Sequence, residues 1–287
     1  MKKKRITQIF PFLIPIRKLQ RKIFFYMGMK LDSNRYSKRI SDDTFEYKIF
    51  STKSKMINPK SGFDIKYQIN KVDNLKLVAN TINKIVIEPG ETFSFWMLAR
   101  KAEKYGSYKD GLAVENDKVI NVKGGGLCQI SNLLFWIFLH TPLTIVERHD
   151  WSSDVCSSDL RHPHSAETLP PPGGDIPEGV DATIAEGWKD LKVKNDTKDR
   201  FQILIDFDEE YIYGGILSDA KQDIYYRVKS ENLKYTRENG KIYRYNEVYK
   251  LWYNSSDNLL RKELILKNKY EIQYDVESEL GIIIGGN

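Results

Sequence analysis

The pattern of apolar and polar positions predicts three helices in this chain. Residues 16–29 combine Leu, Ile, Phe, Tyr and Met with Arg and Lys, which is typical of a basic amphipathic helix. We expect this helix to pack on the protein rather than to lie on a membrane surface. Residues 73–83 predict a second helix, with Asp73 or Asn74 as its N-cap. The apolar run 133–139 is long enough for a third, buried helix.

Shorter apolar runs, many of them aromatic, predict β-strands in the rest of the chain. From Phe201 onward such runs dominate, with turn signals between or beside them, for example at residues 238–240. The pattern therefore predicts an α+β fold, with a mixed core in which a Gly-rich turn leads into a buried helix, followed by a β-rich antiparallel C-terminal part. Before Phe201, the predicted strands are residues 45–50, 85–87, 92–96, 118–122, 143–149, 181–185 and 191–195.

Three regions follow from this pattern. Residues 1–32 form a basic amphipathic leader, residues 33–197 the core, and residues 198–287 the β-rich C-terminal region. The composition changes abruptly inside the core, at residues 150–162.

The segment at residues 150–162 repeats Ser-Ser-Asp, and its last two residues, Arg-His, duplicate Arg148-His149. Residues 151–160 resemble translated sequencing-adapter read-through. We therefore interpret the segment as an artefactual insertion and assign no function to Cys156. On this interpretation His149 and His162 are one position counted twice.

Three consecutive glycines, Gly124, Gly125 and Gly126, precede Cys128 and the buried helix. Glycine adopts backbone angles closed to other residues and lets another segment approach closely. Cys128 is expected in the first helical turn, where N–H groups and the helix dipole lower a thiol pKa and hold an oxyanion. The pattern is typical of a nucleophilic cysteine. The alternative is a small core residue behind a tight turn, because unpaired cysteine is often buried.

Composition excludes several classes of protein. The 287 residues carry a formal net charge of +6, and no basic stripe interleaved with aromatic residues indicates a nucleic-acid partner. Two cysteines cannot form a disulfide framework, and no Cys/His cluster has zinc spacing, so neither a metal site nor a cofactor is predicted.

The leader bears on the location of the protein. Four of the first five residues are Lys or Arg, which favours peripheral contact with an anionic membrane surface. The apolar run at residues 9–16 is interrupted by Pro11 and Pro15, lacks a small-residue cleavage site and is too short to span a bilayer. We therefore expect no signal peptide or transmembrane helix, and a location in the cytoplasm or at the inner face of the membrane.

Several motifs between residues 70 and 197 occur together in one known family. They are Asn-Lys-Val-Asp-Asn-Leu (70–75), Pro-Gly-Glu-Thr-Phe-Ser-Phe-Trp (89–96), Gly-Gly-Gly-Leu-Cys-Gln-Ile-Ser-Asn (124–132), Leu-His-Thr-Pro-Leu (139–143), Val-Glu-Arg-His (146–149) and Asp-Ala-Thr-Ile (181–184). On these motifs the chain resembles the VanW-like family. The resemblance implies an association with glycopeptide (vancomycin) resistance and the cell envelope, without a settled biochemical activity. The segment at residues 150–162 departs from the family pattern.

The first functional hypothesis is a cysteine-dependent acyl-transfer or peptidase-type enzyme acting on peptidoglycan-related peptides. Cys128 would be the nucleophile, His164 or the His149/His162 position the general base, and Asp181 the residue that orients the imidazole. This chain order is the one found in transglutaminase-like thiol hydrolases. Gln129 is a candidate donor to the oxyanion.

The second hypothesis is a non-catalytic accessory module that binds a peptidoglycan precursor, a peptide or a partner protein. The three glycines would allow close approach, and Arg148 would recognise a carboxylate. Gln129 and His149 complete the candidate binding residues. A third hypothesis is a structural protein in which the glycines and the cysteine serve packing alone.

Overall fold

The computed structural model describes residues 10–57, 63–115, 118–149, 166–167, 176 and 179–272. This part of the chain has an α+β fold, which confirms the predicted class. None of the helices in it is long and apolar enough to cross a membrane. The helices are α1 (Ile14–Leu31), α2 (Ile65–Ile82), α3 (Phe95–Ala99) and α4 (Cys128–Leu139).

The strands, in chain order, are β1 (Arg35–Tyr36), β2 (Tyr47–Lys55), β3 (Val86–Ile87), β4 (Glu91–Ser94), β5 (Asp110–Glu115), β6 (Lys118–Lys123), β7 (Thr144–Glu147), β8 (Ala166–Glu167), β9 (Lys192–Lys194), β10 (Phe201–Phe207), β11 (Tyr211–Ser218), β12 (Ile224–Glu238), β13 (Lys241–Asn254) and β14 (Leu259–Ile272). The sheet orders are β1-β4-β9-β7, β2-β11-β10-β3 and β12-β13-β14-β8, and β5 pairs with β6. Strands β10 and β11 pair antiparallel, and so do β12 with β13 and β13 with β14, as predicted for the C-terminal part.

Helix α4 is buried, as predicted, because sheets cover two of its sides. A Cβ atom on Gly214 of β11 would lie 2.5 Å from Cδ1 of Ile137, so the missing side chain lets the helix approach the sheet closely. On another side, Phe93 of β4 packs against Phe138 with 5.2 Å between ring centroids. This packing fixes the position of the first turn of α4, where Cys128 lies.

Helix α2 is longer than its pattern indicated. It begins at Ile65, and Asp64 caps it by accepting a hydrogen bond from the Lys66 N–H at 2.9 Å. The predicted cap was therefore wrong, since Asp73 and Asn74 lie inside the helix. Ile65, Ile69 and Val72 continue the helical spacing towards the N-terminus and no Gly or Pro interrupts it, but Ile65 and Ile69 are 48% and 51% exposed and mark no core-facing side.

Two predicted strands take other forms. Phe95 and Trp96 begin α3 instead of ending a strand, because the Ser94 hydroxyl accepts a hydrogen bond from the Met97 N–H at 3.1 Å and starts a helix. Residues 181–184 form no regular strand. The Ala182 backbone groups bond to side chains of α4, and the Thr183 N–H donates to the His149 carbonyl oxygen just after β7.

The C-terminal region contributes to the core sheet. Strands β10 and β11 pair with β3 and β2, respectively, so residues 201–218 form part of the layer that covers α4. Two apolar runs of the C-terminal region, residues 241–245 and 248–253, belong to one strand, β13, because β12 and β14 pair along both of them.

Candidate functional site

The glycine turn, residues 124–126, joins β6 to α4. A Cβ atom on Gly125 would lie 2.3 Å from the carbonyl carbon of Gly111 in β5, a distance that real Cβ atoms do not show. Gly124 and Gly126 have φ angles of +77° and +90°, which favour glycine. The stem of Lys71 on α2 lies where a Cβ on Gly126 would be, 2.3 Å from the Lys71 Cγ. Packing therefore requires glycine at position 125, the backbone angle favours it at position 124, and both reasons apply at position 126.

Two asparagines of α2 hold the outside of this turn. The Asn74 amide donates to the carbonyl oxygens of Gly125 at 3.1 Å and Lys109 at 2.9 Å, and its oxygen accepts from the Lys109 N–H at 2.8 Å. The Asn70 amide donates to the carbonyl oxygen of Asp110 at 2.8 Å. These bonds explain the polar residues of the 70–75 motif, because they satisfy buried backbone groups beside the glycines.

The first turns of α4 bind the segment at residues 181–184. The Ser131 hydroxyl donates to the carbonyl oxygen of Ala182 at 2.6 Å, and the Asn132 oxygen accepts from the Ala182 N–H at 2.8 Å. The Asn132 amide also donates to the Asp181 carboxylate at 3.2 Å. Side chains of the glycine-cysteine motif thus hold the Asp-Ala-Thr-Ile motif against the start of the helix.

Cys128 is partly buried between these two motifs. Its thiol donates to the carbonyl oxygen of Ile184, with 4.0 Å between sulfur and oxygen. Burial raises the pKa of the Cys128 thiol, and the Asp181 charge raises it further, while Lys189 opposes the shift. The direction is opposite to the one expected for a thiolate at a helix N-terminus, and burial is its largest cause.

The positions of the histidines decide which of them could act as a base for Cys128. His164, the predicted general base, lies outside the described residues, as do residues 150–162. Neither described histidine forms a hydrogen bond with the Cys128 thiol: His140 lies at the other end of α4, and His149 Nε2 lies 3.2 Å from Glu147 Oε1. Burial lowers the pKa of His140 to about 4.

The other predicted site residues are placed as follows. The Gln129 amide donates to the Ser54 hydroxyl at 2.9 Å and to the Lys55 carbonyl oxygen at 2.7 Å, so it ties α4 to β2. Arg148 donates to the carbonyl oxygen of Asp181 at 2.8 Å and packs over Phe135. Cys128 and Arg148 therefore both bond to the segment at residues 181–184, which contains Asp181.

A cavity of about 600 Å³ opens beside the glycine turn and Cys128. The β5–β6 hairpin contributes aliphatic side chains to its wall, and Lys22 of α1 reaches it from another side. A volume of this size suits a small-molecule or peptide ligand. Its aromatic and aliphatic walls include Trp96, Tyr108, Trp188, Leu112, Val119 and Val122.

Sequence reasoning missed residues 186–190, which follow the Asp-Ala-Thr-Ile motif. Glu186, Trp188 and Lys189 line the cavity. Asp190 is fully buried, and burial raises the pKa of its carboxyl to about 6. The available signal was a Gly-Trp pair set among charged residues, directly after a recognised motif.

The chain is similar in sequence to one protein family and to two curated proteins. The family model described as VanW like protein matches residues 70–217. Vancomycin B-type resistance protein VanW of Enterococcus faecalis (strain ATCC 700802 / V583) is 44% identical over 283 residues, which cover 98% of each chain. The chain belongs to the VanW family. Uncharacterized protein YoaR of Bacillus subtilis (strain 168) is 30% identical over 122 residues, 42% of this chain and 34% of YoaR. No solved structure matches the chain significantly.

The VanW match contains most of the site. The glycine turn, Cys128 and residues 183–189 all lie within it, whereas Lys22 of the cavity wall lies outside it. No group of three or more His, Cys, Asp or Glu side chains suited to a metal ion occurs in the described part of the chain. The cavity is lined by the Cys128 thiol, two carboxylates, cationic side chains and apolar walls.

The raised pKa of the Cys128 thiol predicts slow alkylation. In a Cys156→Ser background, we expect iodoacetamide to label Cys128 about tenfold more slowly at pH 7 than it labels N-acetylcysteine. The midpoint of the pH–rate profile should lie above the ordinary thiol value of about 8.5. Mass spectrometry of the Cys128 peptide follows the reaction. Rapid labelling with a midpoint below about pH 7 would contradict this prediction and support a thiolate nucleophile.

Proposed function

We propose that this chain acts in vancomycin resistance as an accessory binding protein, whose cavity holds an envelope component with an apolar body and an anionic group. Membership of the VanW family and the 44% identity to vancomycin B-type resistance protein VanW support the resistance context. The observation that carries the binding role is structural. The glycine turn, the first turn of α4 and residues 183–189 converge on one cavity of about 600 Å³.

The charges of the cavity favour an anionic group. Among its described lining residues, Lys and Arg outnumber Glu by four to two. Lys22 pairs with Glu186 at 2.8 Å, and Lys123 lies 3.7 Å from Glu103. The positive excess favours a carboxylate or phosphate on the ligand, while the aromatic and aliphatic walls favour an apolar body. The charged lining residues are Lys22, Arg100, Lys123, Lys189, Glu103 and Glu186.

The state of Cys128 favours binding over covalent catalysis. Burial raises the pKa of its thiol, and the thiol donates to the Ile184 carbonyl oxygen. The Gln129 amide, the predicted oxyanion donor, is already bonded to Ser54 and Lys55 of β2. A binding site needs neither a thiolate nor a free donor at these positions.

A thiol enzyme is the second candidate function, because Cys128 itself lines the cavity. In that function the Cys128 sulfur would attack an amide carbonyl of a peptidoglycan-related peptide and displace the amine, and water or another amine would then cleave the thioester. His164 would take the thiol proton and give it to the departing amine, and Asp181 would orient the imidazole. The Cys128→Ala variant separates the two functions in a resistant host. Full resistance with unchanged ligand binding supports the binding role, and lost resistance with unchanged binding supports the enzyme.

Filling the cavity tests the binding role. Anilinonaphthalene sulfonate has the proposed ligand chemistry, an aromatic body and one anionic group, and its fluorescence reports binding. We expect Ala113→Trp, which places an indole in the cavity wall, to weaken binding of this probe by about tenfold or more. Ala220→Trp, at a partly exposed alanine outside the cavity lining, is the matched control and should bind as the unmodified protein does.

Displacement of the same probe identifies the ligand class. A polyprenyl phosphate and a peptidoglycan stem peptide are added in separate titrations. Displacement by one of them from the unmodified protein, and not from residual sites in Ala113→Trp, assigns that class to the cavity. If the Ala113→Trp and Ala220→Trp variants bind the probe equally well, the cavity is not the binding site.

A further inference from the structure

Helix α1 presents an apolar face to solvent. Ile16, Leu19, Ile23 and Met27 are 63%, 58%, 50% and 46% exposed, and their spacing of three or four residues places them on one side of the helix. Phe12, in the short helical turn before α1, extends this stripe and is 71% exposed. We call these five residues the outer face of α1. A stripe of this length on the surface of a protein marks an interaction site.

The opposite side of α1 is packed on the protein, as the sequence analysis expected. Met29 is buried, and Phe25 and Tyr26 pack against it. The Tyr26 hydroxyl donates to the Glu186 carboxylate at 2.7 Å, and Lys22 Nζ pairs with the same carboxylate at 2.8 Å. Because these contacts hold the helix, the outer face is presented at a fixed orientation.

The charge of this region selects the partner. Residues 1–31 contain no Asp or Glu, so the charges that accompany the outer face are all positive. An exposed apolar stripe with cationic residues on its flanks is the pattern of a helix that lies in the headgroup region of an anionic bilayer. The basic residues of this region are Lys2, Lys3, Lys4, Arg5, Arg17, Lys18, Arg21, Lys22 and Lys30.

We propose that the outer face of α1 docks on an anionic phospholipid membrane. Ile16, Leu19, Ile23 and Met27 enter the boundary between headgroups and acyl chains, and the exposed Arg17 and Lys30 pair with lipid phosphates. One side of the helix thus binds the protein while the other binds lipid. This surface is separate from the cavity and does not depend on the proposed function.

Docking in this orientation also determines how far the cavity lies from the membrane surface. Lys22 lines the cavity, and its position on α1 is on the packed side of the helix rather than on the outer face. The cavity then lies about one helix diameter, roughly 10 Å, from the membrane surface. An amphiphilic envelope component held in the bilayer would have a short path to it.

Vesicle flotation with the full chain tests this proposal. We expect binding to vesicles of equimolar phosphatidylglycerol and phosphatidylcholine, weak binding to phosphatidylcholine alone, and loss of binding at high salt. The double variant Leu19→Ser/Ile23→Ser should lower the partition coefficient by about tenfold or more, because two apolar side chains no longer enter the bilayer.

The matched control is Leu259→Ser/Leu260→Ser at the start of β14, where the two leucines are 51% and 55% exposed. This control should bind anionic vesicles as the unmodified protein does. Thermal unfolding followed by circular dichroism establishes that both double variants are folded, as expected for exposed positions. The proposal is overturned if the unmodified protein does not bind anionic vesicles, binds neutral vesicles equally well, or loses the same affinity in both double variants.

Discussion

Replacing Gly125 with alanine is expected to lower the free energy of unfolding by about 3 kcal/mol, because the new methyl group has no space. Its Cβ would lie 2.3 Å from the backbone carbon and oxygen of Gly111. Neither atom belongs to a flexible side chain, so the strand β5 or the turn itself must move. The Asn74 bond to the Gly125 carbonyl oxygen would be strained by the same movement. Urea denaturation followed by tryptophan fluorescence measures the loss.

Gly124→Ala is the matched control for this prediction. Gly124 has a φ of +77°, but a Cβ there would meet only the Tyr108 ring at 3.6 Å, an ordinary contact. Its substitution should cost about 1 kcal/mol, the price of a left-handed backbone for alanine. The two variants thus separate steric exclusion at Gly125 from backbone strain at Gly124. Equal losses in the two variants would show that the close contact with Gly111 does not determine the turn.

The sequence predicted the elements of the fold whose pattern is local. The basic leader helix, the helix after the glycines and the antiparallel C-terminal strands all follow from spacing and turn residues, and the structure confirms them. The start of α2 was missed because Asp73 and Asn74 resemble a cap, although Ile65, Ile69 and Val72 continue the apolar period before them. Residues 181–184 were predicted as a strand because their composition is β-like, whereas Ser131 and Asn132 supply their hydrogen-bond partners.

The sequence predicted where the candidate site lies, but not the pKa of Cys128 or the charge of the cavity. A Gly-Gly-Gly-Leu-Cys run identifies where a backbone contact and a thiol coincide, and the structure places both beside a cavity. The pKa of Cys128 depends on its burial and on Asp181, Ile184 and Lys189, which are distant in sequence. The positive charge of the cavity depends likewise on Lys22, Arg100, Lys123 and Lys189, which come from four separate parts of the chain.

Asp190 carries the second large expected effect, because its carboxylate organises buried donors from two segments. It accepts from the Ser94 hydroxyl at 2.6 Å, the Trp96 N–H at 3.1 Å and the Leu191 N–H at 2.9 Å. Asp190→Ala leaves all three donors without an acceptor and should lower the free energy of unfolding by about 3 kcal/mol or more. Trp96 and Lys189 line the cavity, so the same variant should also weaken binding of anilinonaphthalene sulfonate.

Asp190→Asn distinguishes the hydrogen bonds from the charge. The asparagine oxygen accepts from the same backbone N–H groups, and its amide donates to the Ser94 hydroxyl, so most of the network is retained. The titration is lost, because the asparagine side chain has no proton to release in this pH range. Burial raises the pKa of Asp190 to about 6 in the folded protein, against about 3.9 in an unfolded chain. Below pH 3.9 both states are protonated, and the group favours neither.

Between these two pKa values the unfolded state has released the proton and the folded state has kept it. The free energy of unfolding therefore falls as the pH rises from about 4 to 6, by about 3 kcal/mol in total, and is flat above that window. Asp190→Asn lacks this fall, so subtracting its pH profile from that of the unmodified protein isolates the Asp190 contribution and cancels neighbours such as Glu147. Urea denaturation at pH 4, 5, 6 and 7 provides both profiles. Parallel profiles across this range would mean that Asp190 is charged in the folded protein at pH 4, and that its hydrogen bonds, rather than its burial, determine its titration.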